Sequence, residues 1–382
     1  IRDKLVTGVQ TCALPIYRIS LGFYESQANA VYEVEDWFGE MQGVTYQQHI
    51  TNLYNAVNEL TKNPTSTIAR SSLIQNATAF IDRSEAIYSG LKDYQVTLNT
   101  EVNNMVEKIN SLGQKIYNLN KGIVKVEAEG VERANDLRDS RDLALDELSK
   151  YIDIDYYETK DGEVIVSAEN VPFITKNDIA KMSVREEGTY GLLIPQWEGY
   201  QQDVYNFDKQ ANNANDTDKG KLKGLLIARG VIEVNYTDIP VMPERADYDL
   251  TTEQGMAEYN SAMDAYQQKQ DYYNKYIEPS AILSAIAGFD KLVNGIVTAM
   301  NDVLCPETTM DTTKELTDAD GNILKAEKYV YNASTHDVLY DSHGNVVAGK
   351  ENGDGTYSYE ASEKLYVDAN QEETENIDSM TY

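Results

Sequence analysis

Residues 74–123 read IQNATAFIDRSEAIYSGLKDYQVTLNTEVNNMVEKINSLGQKIYNLNKGI, and the spacing of their apolar side chains decides the fold. With a positions at Ile74, Ile81, Tyr88, Gln95, Val102, Ile109, Ile116 and Ile123, the d positions fall on Ala77, Ser84, Leu91, Leu98, Met105, Leu112 and Leu119. Only Ser84 and Gln95 interrupt the apolar seam. A 3.5-residue repeat sustained over about seven heptads supercoils left-handed against a partner helix. The predicted helix runs from Pro64 to Lys125 and would reach on the order of 90 Å. Asn63 reads as its N-cap and Pro64 as its first residue, where proline forfeits no hydrogen bond that the helix needs. Gln95 has two readings, a register device or a polar residue that the seam tolerates.

Upstream, the pattern from Leu21 to Leu60 is helical, with Ile50, Leu53, Tyr54, Val57 and Leu60 on one stripe. Val6–Ile16, VTGVQTCALPI, resembles a translated sequencing-adaptor read-through, and no helical or strand periodicity connects it to the residues after it. Residues 1–16 are therefore set apart as non-native. Downstream, Gly130 closes the long helix, and a second helix carries Ala134, Leu137, Leu145, Leu148 and Ile152 on one face. The short connection favours antiparallel return.

At Ile152 the period changes to alternation. Ile152, Ile154 and Tyr156 precede a Lys160–Gly162 turn, and Val164 and Val166 come after it, a hairpin pattern. Strand-like pieces at Gly191–Ile194 and Asp203–Tyr205 extend this β region to the polar run Asn212–Gly220. Two helical stripes come next. One holds Met256, Tyr259, Met263, Tyr266, Tyr273 and Ile277. The other holds Ile282, Ile286, Phe289, Val293, Ile296, Met300 and Val303. Beyond residue 306, short strands are expected at Tyr329–Tyr331, Val338–Tyr340, Val346–Val347 and Tyr357–Tyr359. The expected class is α+β, a long antiparallel helical bundle or coiled-coil rod with β-rich inserted domains. Its parts are the non-native 1–16, a helical rod at 17–151, a β-rich domain at 152–218, a helical return at 219–304 with an insertion at 231–279, and a β-rich insertion at 305–382.

The chain of 382 residues has room for two or three cores. Thirty-three basic against 63 acidic residues leave a net charge of −30, which repels nucleic acid and anionic membranes. Two cysteines, Cys12 and Cys305, exclude a disulfide framework, and no uninterrupted apolar run approaches the roughly 18 residues of a membrane span. No N-terminal segment has the pattern of a cleaved signal, and the chain lacks an initiator methionine.

Chemistry finds little material. His336 and His343 lie near Asp337 and Asp341 without ligand spacing, and Asp318–Asn322 lacks the full ligand series of a calcium loop. Gly220–Gly224 and Gly288–Gly295 do not fit phosphate-binding spacing, and Asn332–Ser334 matches a glycosylation triplet at chance level. The expectation is no enzyme, no cofactor and no metal.

Several stretches resemble one family. NDLRDSRDLALDELSKYIDI (Asn135–Ile154) is similar to a segment of flagellar hook-associated protein 1, the hook–filament junction family. So are VNNMVEKINSLGQKIYNLNKGI (Val102–Ile123), LGFYESQANAVYEVEDWFGE (Leu21–Glu40), LYNAVNELTKNPTSTIARSSLIQNA (Leu53–Ala77) and KGKLKGLLIARG (Lys219–Gly230). The resemblance covers roughly residues 17–230, and 280–304 more loosely; it rests on Asn135, Asp136, Leu137, Arg138, Arg141, Asp142, Leu145 and Leu148. It implies an extracellular axial protein of the bacterial flagellum, exported without a cleaved signal. Its partners would be copies of itself, the hook protein, the second junction protein and a secretion chaperone. Its helical rod would face inward and its β domains outward. The chain starts after one family terminal helix and stops before the other, so it is expected to fold without polymerising. The rival readings are another axial protein (flagellin or the second junction protein) and a coiled-coil surface adhesin using residues 306–382, where tyrosine is abundant.

Overall fold

The computed structural model describes residues 2–39, 45–128, 133–188, 191–207 and 219–304, and strands at 307–311, 316–317, 323–324, 350–351 and 356–360. Of residues 2–19 and of the strands beyond residue 304, the backbone alone is described. Gly130, the polar run 212–218, His336, His343, Asp318–Asn322, Asn332–Ser334 and the strands expected at 329–331, 338–340 and 346–347 lie outside the described residues.

The elements in chain order are α1 (Arg2–Phe38), α2 (Tyr46–Lys62), α3 (Thr67–Glu127) and α4 (Asn135–Tyr151), then six strands. These are β1 (Ile154–Glu158), β2 (Val164–Ala168), β3 (Val171–Ile174), β4 (Met182–Glu187), β5 (Leu192–Trp197) and β6 (Gln202–Asp203). Next come α5 (Lys221–Arg229), α6 (Glu253–Tyr272) and α7 (Ala281–Leu304), and then β7 (Glu307–Asp311), β8 (Leu316–Thr317), β9 (Ile323–Leu324), β10 (Lys350–Glu351) and β11 (Thr356–Glu360). The fold is α+β, mostly helical with small antiparallel sheets. Its backbone divides into two units, Ile1–Gln48 with Ala86–Phe289, and His49–Glu85 with Asp290–Tyr382.

α3 starts three residues later than the sequence suggests. Pro64 sits in a turn, and Ser66 is the cap, its hydroxyl accepting from Ala69 N at 3.3 Å. Arg70 holds the turn by donating twice to the Pro64 carbonyl, at 3.1 and 2.9 Å. Asn63, read as the cap, instead donates to Glu59.

The buried stripe of α3 is not a strict heptad seam. In the second unit it runs through Leu73, Ala77, Phe80 and Ser84, one position behind a and on d. In the first unit it moves to Leu91, Gln95, Leu98 and Val102, and ends on Val106, Ile109, Gly113, Ile116, Asn120 and Ile123, on a and e. A helix wound near 3.6 residues per turn drifts about 20° per heptad against a 3.5 repeat, and the stripe tracks that drift. Ile74 consequently lies 57% exposed, and Ile81 is only half-buried.

The second unit contains the remainder of α2, the start of α3 and the end of α7. On α7 its buried positions are Asp290, Val293, Val297 and Asn301, so Val303, expected on the stripe, is exposed and Ile296 and Met300 are half-buried. The same drift is the cause. α7 is also long and apolar enough to cross a membrane by length and composition, because hydropathy averages over Asp290 and Lys291 where a count of uninterrupted residues does not. Ile282, Leu283, Ile286 and Ala287 are nevertheless packed in protein core. β10, β11 and β7 form one antiparallel sheet, and β8 pairs with β9.

In the first unit α3 carries two antiparallel sheets, β1-β2-β3 and β4-β5-β6. β1 and β2 pair from Ile154↔Ala168 to Glu158↔Val164, the hairpin expected from alternation. Phe173 of β3 and Trp197 of β5 meet with ring centroids 5.8 Å apart. Gly113 makes room for them, since a Cβ there would stand 2.5 Å from the Phe173 ring. α5 crosses α1 at Gly224, where a Cβ would come within 2.5 Å of the Phe23 carbonyl oxygen. Ser26 and Gln27 of α1 use that approach to donate to the Lys221 and Gly224 carbonyls of α5. α6 departs from expectation. Gly255 is its one buried residue, and Met256 is 46% exposed, so the part of the Met/Tyr stripe that lies on α6 does not make a core seam, whereas Ile277 beyond the helix is buried. Tyr259 is occupied locally, with Tyr248 against its edge and Arg245 over its face.

Gly224→Ala is expected to lower stability by about 1–3 kcal/mol through overpacking against α1. Gly288→Ala, where an added Cβ meets nothing within 4 Å, is expected to be neutral or to stabilise by up to about 1 kcal/mol. Urea unfolding of the two variants against the parent chain checks both signs.

Candidate functional site: amides of the long helix on open strand edges

A strand whose neighbour ends early leaves N–H and C=O groups that must find partners or be desolvated unpaired. At three places on the open edges of the first unit's sheets, an asparagine from α3 supplies such partners. Asn120 Nδ2 donates to the Val164 carbonyl at 2.7 Å, and its Oδ1 accepts from Val164 N at 3.0 Å. Val164 pairs with β1 on one side, while β3 pairs only with Val166, Ser167 and Ala168, so the other side is open at that level. Asn110 treats Met182 the same way, at 2.8 and 2.9 Å, on the edge strand β4. Asn99 straddles Leu192, donating to Gly191 O at 3.0 Å and accepting from Leu193 N at 2.8 Å, beyond the reach of β6. Each side-chain amide stands where a neighbouring strand would otherwise be.

Gln95 belongs to this row. Its Nε2 donates 3.0 Å to the Arg229 carbonyl at the C-terminus of α5, so it serves as an interhelical cap for a backbone group. At about 3.6 residues per turn, positions 95, 99, 110 and 120 fall within about a quarter-turn of each other. The polar row therefore shares one side of α3 with its apolar stripe. Arg229 itself is fully buried; its Nη1 donates to Asn99 Oδ1 and Leu193 O, and its Nε to Gly230 O. Burial pulls its guanidinium down to about 10, still protonated at neutral pH.

The family-like segment of α4 extends the row. Arg141 is 2% exposed and donates to the Gly162 carbonyl at 2.6 Å, to Asn120 Oδ1 at 3.3 Å and to Glu158 at 3.4 Å. Arg138 binds Glu127, at the end of α3, through two nitrogens, and reaches Glu158 of β1. Those bonds, with a further one from Ala134 N, hold the Glu127 carboxyl down to about 2. One arginine pair thus links α3, α4 and the β1–β2 hairpin. Leu145 and Leu148 are buried, Leu137 is half-buried against Gly122, and Asn135, Asp136 and Asp142 are exposed. Of the α3 seam, Leu91, Leu98, Val102, Met105, Ile109, Leu112, Ile116 and Ile123 are buried. Leu119 is half-buried and, with Leu137, lines an open groove of about 520 Å³.

Sequence reasoning missed the asparagines. Asn99 and Asn120 fall on e positions and Asn110 on b, where a polar residue reads as solvent-facing. The signal that could have located them is their placement on one helical face about three turns apart. Among the described residues no group of three or more His, Cys, Asp or Glu could hold a metal ion.

Fold and site together define an α+β protein whose sheets are fastened, residue by residue, along one long helix. Residues 31–265 match the flagellar hook-associated protein FlgK helical domain. The chain belongs to that family. It is 27% identical over 234 residues to flagellar hook-associated protein 1 of Bacillus subtilis (strain 168), an alignment covering 59% of this chain and 46% of that relative. It also resembles the solved flagellar hook junction protein FlgK from Burkholderia pseudomallei, with TM-score 0.47 and 18% identity over 56% of this chain and 38% of that one. The chain thus spans less than half the length of these relatives.

Asn110→Ala leaves the Met182 N–H and C=O without their partner and is expected to lower stability by about 1–3 kcal/mol. Asn103→Ala, at a half-buried residue whose solvent-facing bond is to Glu107 on its own helix, is expected to change it by less than about 0.5 kcal/mol. Chemical denaturation of both variants tests the difference.

Proposed function

We propose that this chain is a structural subunit of the bacterial flagellum at the junction of hook and filament, with no catalytic role. The observation that carries the reading is the family match over residues 31–265, which spans α3, α4 and both sheets of the first unit. The relative in Bacillus subtilis is named as hook-associated, and the same role is inferred for this chain. In that role it works outside the cell, exported without a cleaved signal. Its partners are copies of itself, the hook protein and the second junction protein, with a secretion chaperone before export.

The physical features support a mechanical part. A helix that holds two sheets by paired amide bonds resists sliding of strand against helix, because a one-residue slip breaks every pair together. The net charge of −30 favours a soluble subunit that avoids nucleic acid and anionic membranes. We assign the helical part to 17–151 and 219–304, with an insertion at 231–279, and β-rich parts to 152–218 and 305–382; the backbone of α1 runs on through residues 2–16, so setting 1–16 apart as non-native rests on their sequence alone.

The test uses hooks purified from a flagellated bacterium that lacks its own hook-associated proteins. Gold-labelled chain is expected to bind the distal hook end saturably and to leave filament walls bare. Equal labelling of filament walls, or no labelling of hook ends, would contradict the assignment.

A further inference from the structure

Between α5 and α7 the chain leaves the core of the first unit and returns to the same place. At the departure, Gly230 has φ 82°, and a Cβ there would strike the Leu283 side chain of α7. At the return, Ser280 is 1% exposed. Its hydroxyl donates to the Ala228 carbonyl of α5 at 2.8 Å and accepts from Leu283 N at 3.2 Å. The end of α5 and the start of α7 are thereby fastened directly to each other. Two buried apolar anchors, Val234 and Ile277, complete this neck. Ile277 is delivered by a π turn, Tyr273–Ile277, in which Glu278 N donates to the Tyr273 carbonyl at 2.9 Å. Ser284 Oγ of α7 then holds the Ile277 carbonyl at 3.0 Å.

The residues between the anchors are of another kind. Among the described residues from 235 to 276, Gly255 is the one that is buried, and it has no side chain. Burial of apolar side chains is the main force that couples a segment to a core, and this segment buries none. What holds it is local. Asn235 and Asp238 form a capping box. Asp249 accepts from Thr251 N through its carboxylate and from the Thr252 hydroxyl through its carbonyl, both at 3.0 Å. Thr252 caps α6 by accepting from Gly255 N at 3.0 Å. Tyr248 and Arg245 lie against the Tyr259 ring, 5.5 and 5.7 Å from its centroid.

We propose that residues 235–276 are a self-closed surface module, which opens as a unit of its own while the neck keeps the first unit folded. Stability is distributed over cooperative units, and one opens alone when few buried contacts tie it to its neighbours. Opening here gives up the local bonds and the Tyr259 contacts. The Ser280–Ala228 bond, Val234 and Ile277 lie outside the module and stay in place. An open loop on a fixed neck is tolerated, because closure entropy grows only slowly with loop length.

Native-state hydrogen exchange of the full chain reads the opening directly. Amides of α6 at 256–272 are expected to exchange faster than those of α5 at 225–228 and α7 at 284–289, with little dependence on denaturant. Tyr259→Ala removes a ring pair and a cation–π contact. It is expected to speed exchange in α6 about ten-fold and to leave α5 and α7 unchanged. Ile277→Ala, at the neck, is expected instead to lower protection in α5 and α7 about thirty-fold or more. A chain in which about ten Gly/Ser residues, able to reach about 33 Å, replace 236–275 is expected to keep the parent's protection in α5 and α7. Amides of α6 that open only together with those of α5 and α7 would overturn the proposal. So would a Tyr259→Ala effect that spreads equally to α5 and α7, or loss of their protection in the shortened chain.

Discussion

An asparagine side chain carries one donor edge and one acceptor edge in nearly the arrangement of a peptide group, so from a helix it can complete the edge of a sheet. Asn99, Asn110 and Asn120 use that property at three levels of α3, each against a strand backbone that no further strand covers on that side. Apolar burial along the same helix supplies the greater part of the association, but it is indifferent to small shifts along the axis. The amides are not. Each fixes one strand residue against one helical residue, so the two sheets sit at defined heights. Gln95 and Arg229 continue the principle to the end of α5, where they donate to the Arg229 and Gly230 carbonyls.

The arginines of α4 depend on this arrangement. Arg141 donates to the Gly162 carbonyl and to Asn120, the residue that holds the start of β2 beside α3. Arg138 then closes the junction by binding a carboxylate from α3 and one from β1. Removing one member leaves others as buried polar groups without partners, which makes such networks cooperative.

Much of this architecture was legible from residue spacing. The change from helical to alternating period at Ile152 marks the real boundary between α4 and β1, and Lys160–Gly162 is the real turn. The long helix was legible to within three residues at each end. Its buried face was not, because a heptad template imposes a 3.5 repeat that a helix wound near 3.6 does not keep, and Ile74 was placed in a seam that passes through Leu73. β3 and β4 escaped because Val171–Ile174 is interrupted by Pro172 and Met182–Glu187 ends in charge, so neither alternates cleanly. The Met/Tyr pattern of α6 imitates a core seam, but its Tyr259, Met263 and Tyr266 are only half-buried. The asparagines were invisible for a deeper reason. Their value lies in strand groups more than 40 residues away, which no local pattern records.

Helix and sheets form one mechanical unit through these amides. Native-state hydrogen exchange tests that claim most directly, by comparing the Val164, Met182 and Leu193 amides with those of the α3 core from Leu98 to Ile116. The three strand amides are predicted to open with the same free energy and the same denaturant dependence as the helix core. Exchange of the strand amides through a smaller, separate opening, with α3 still fully protected, would contradict it.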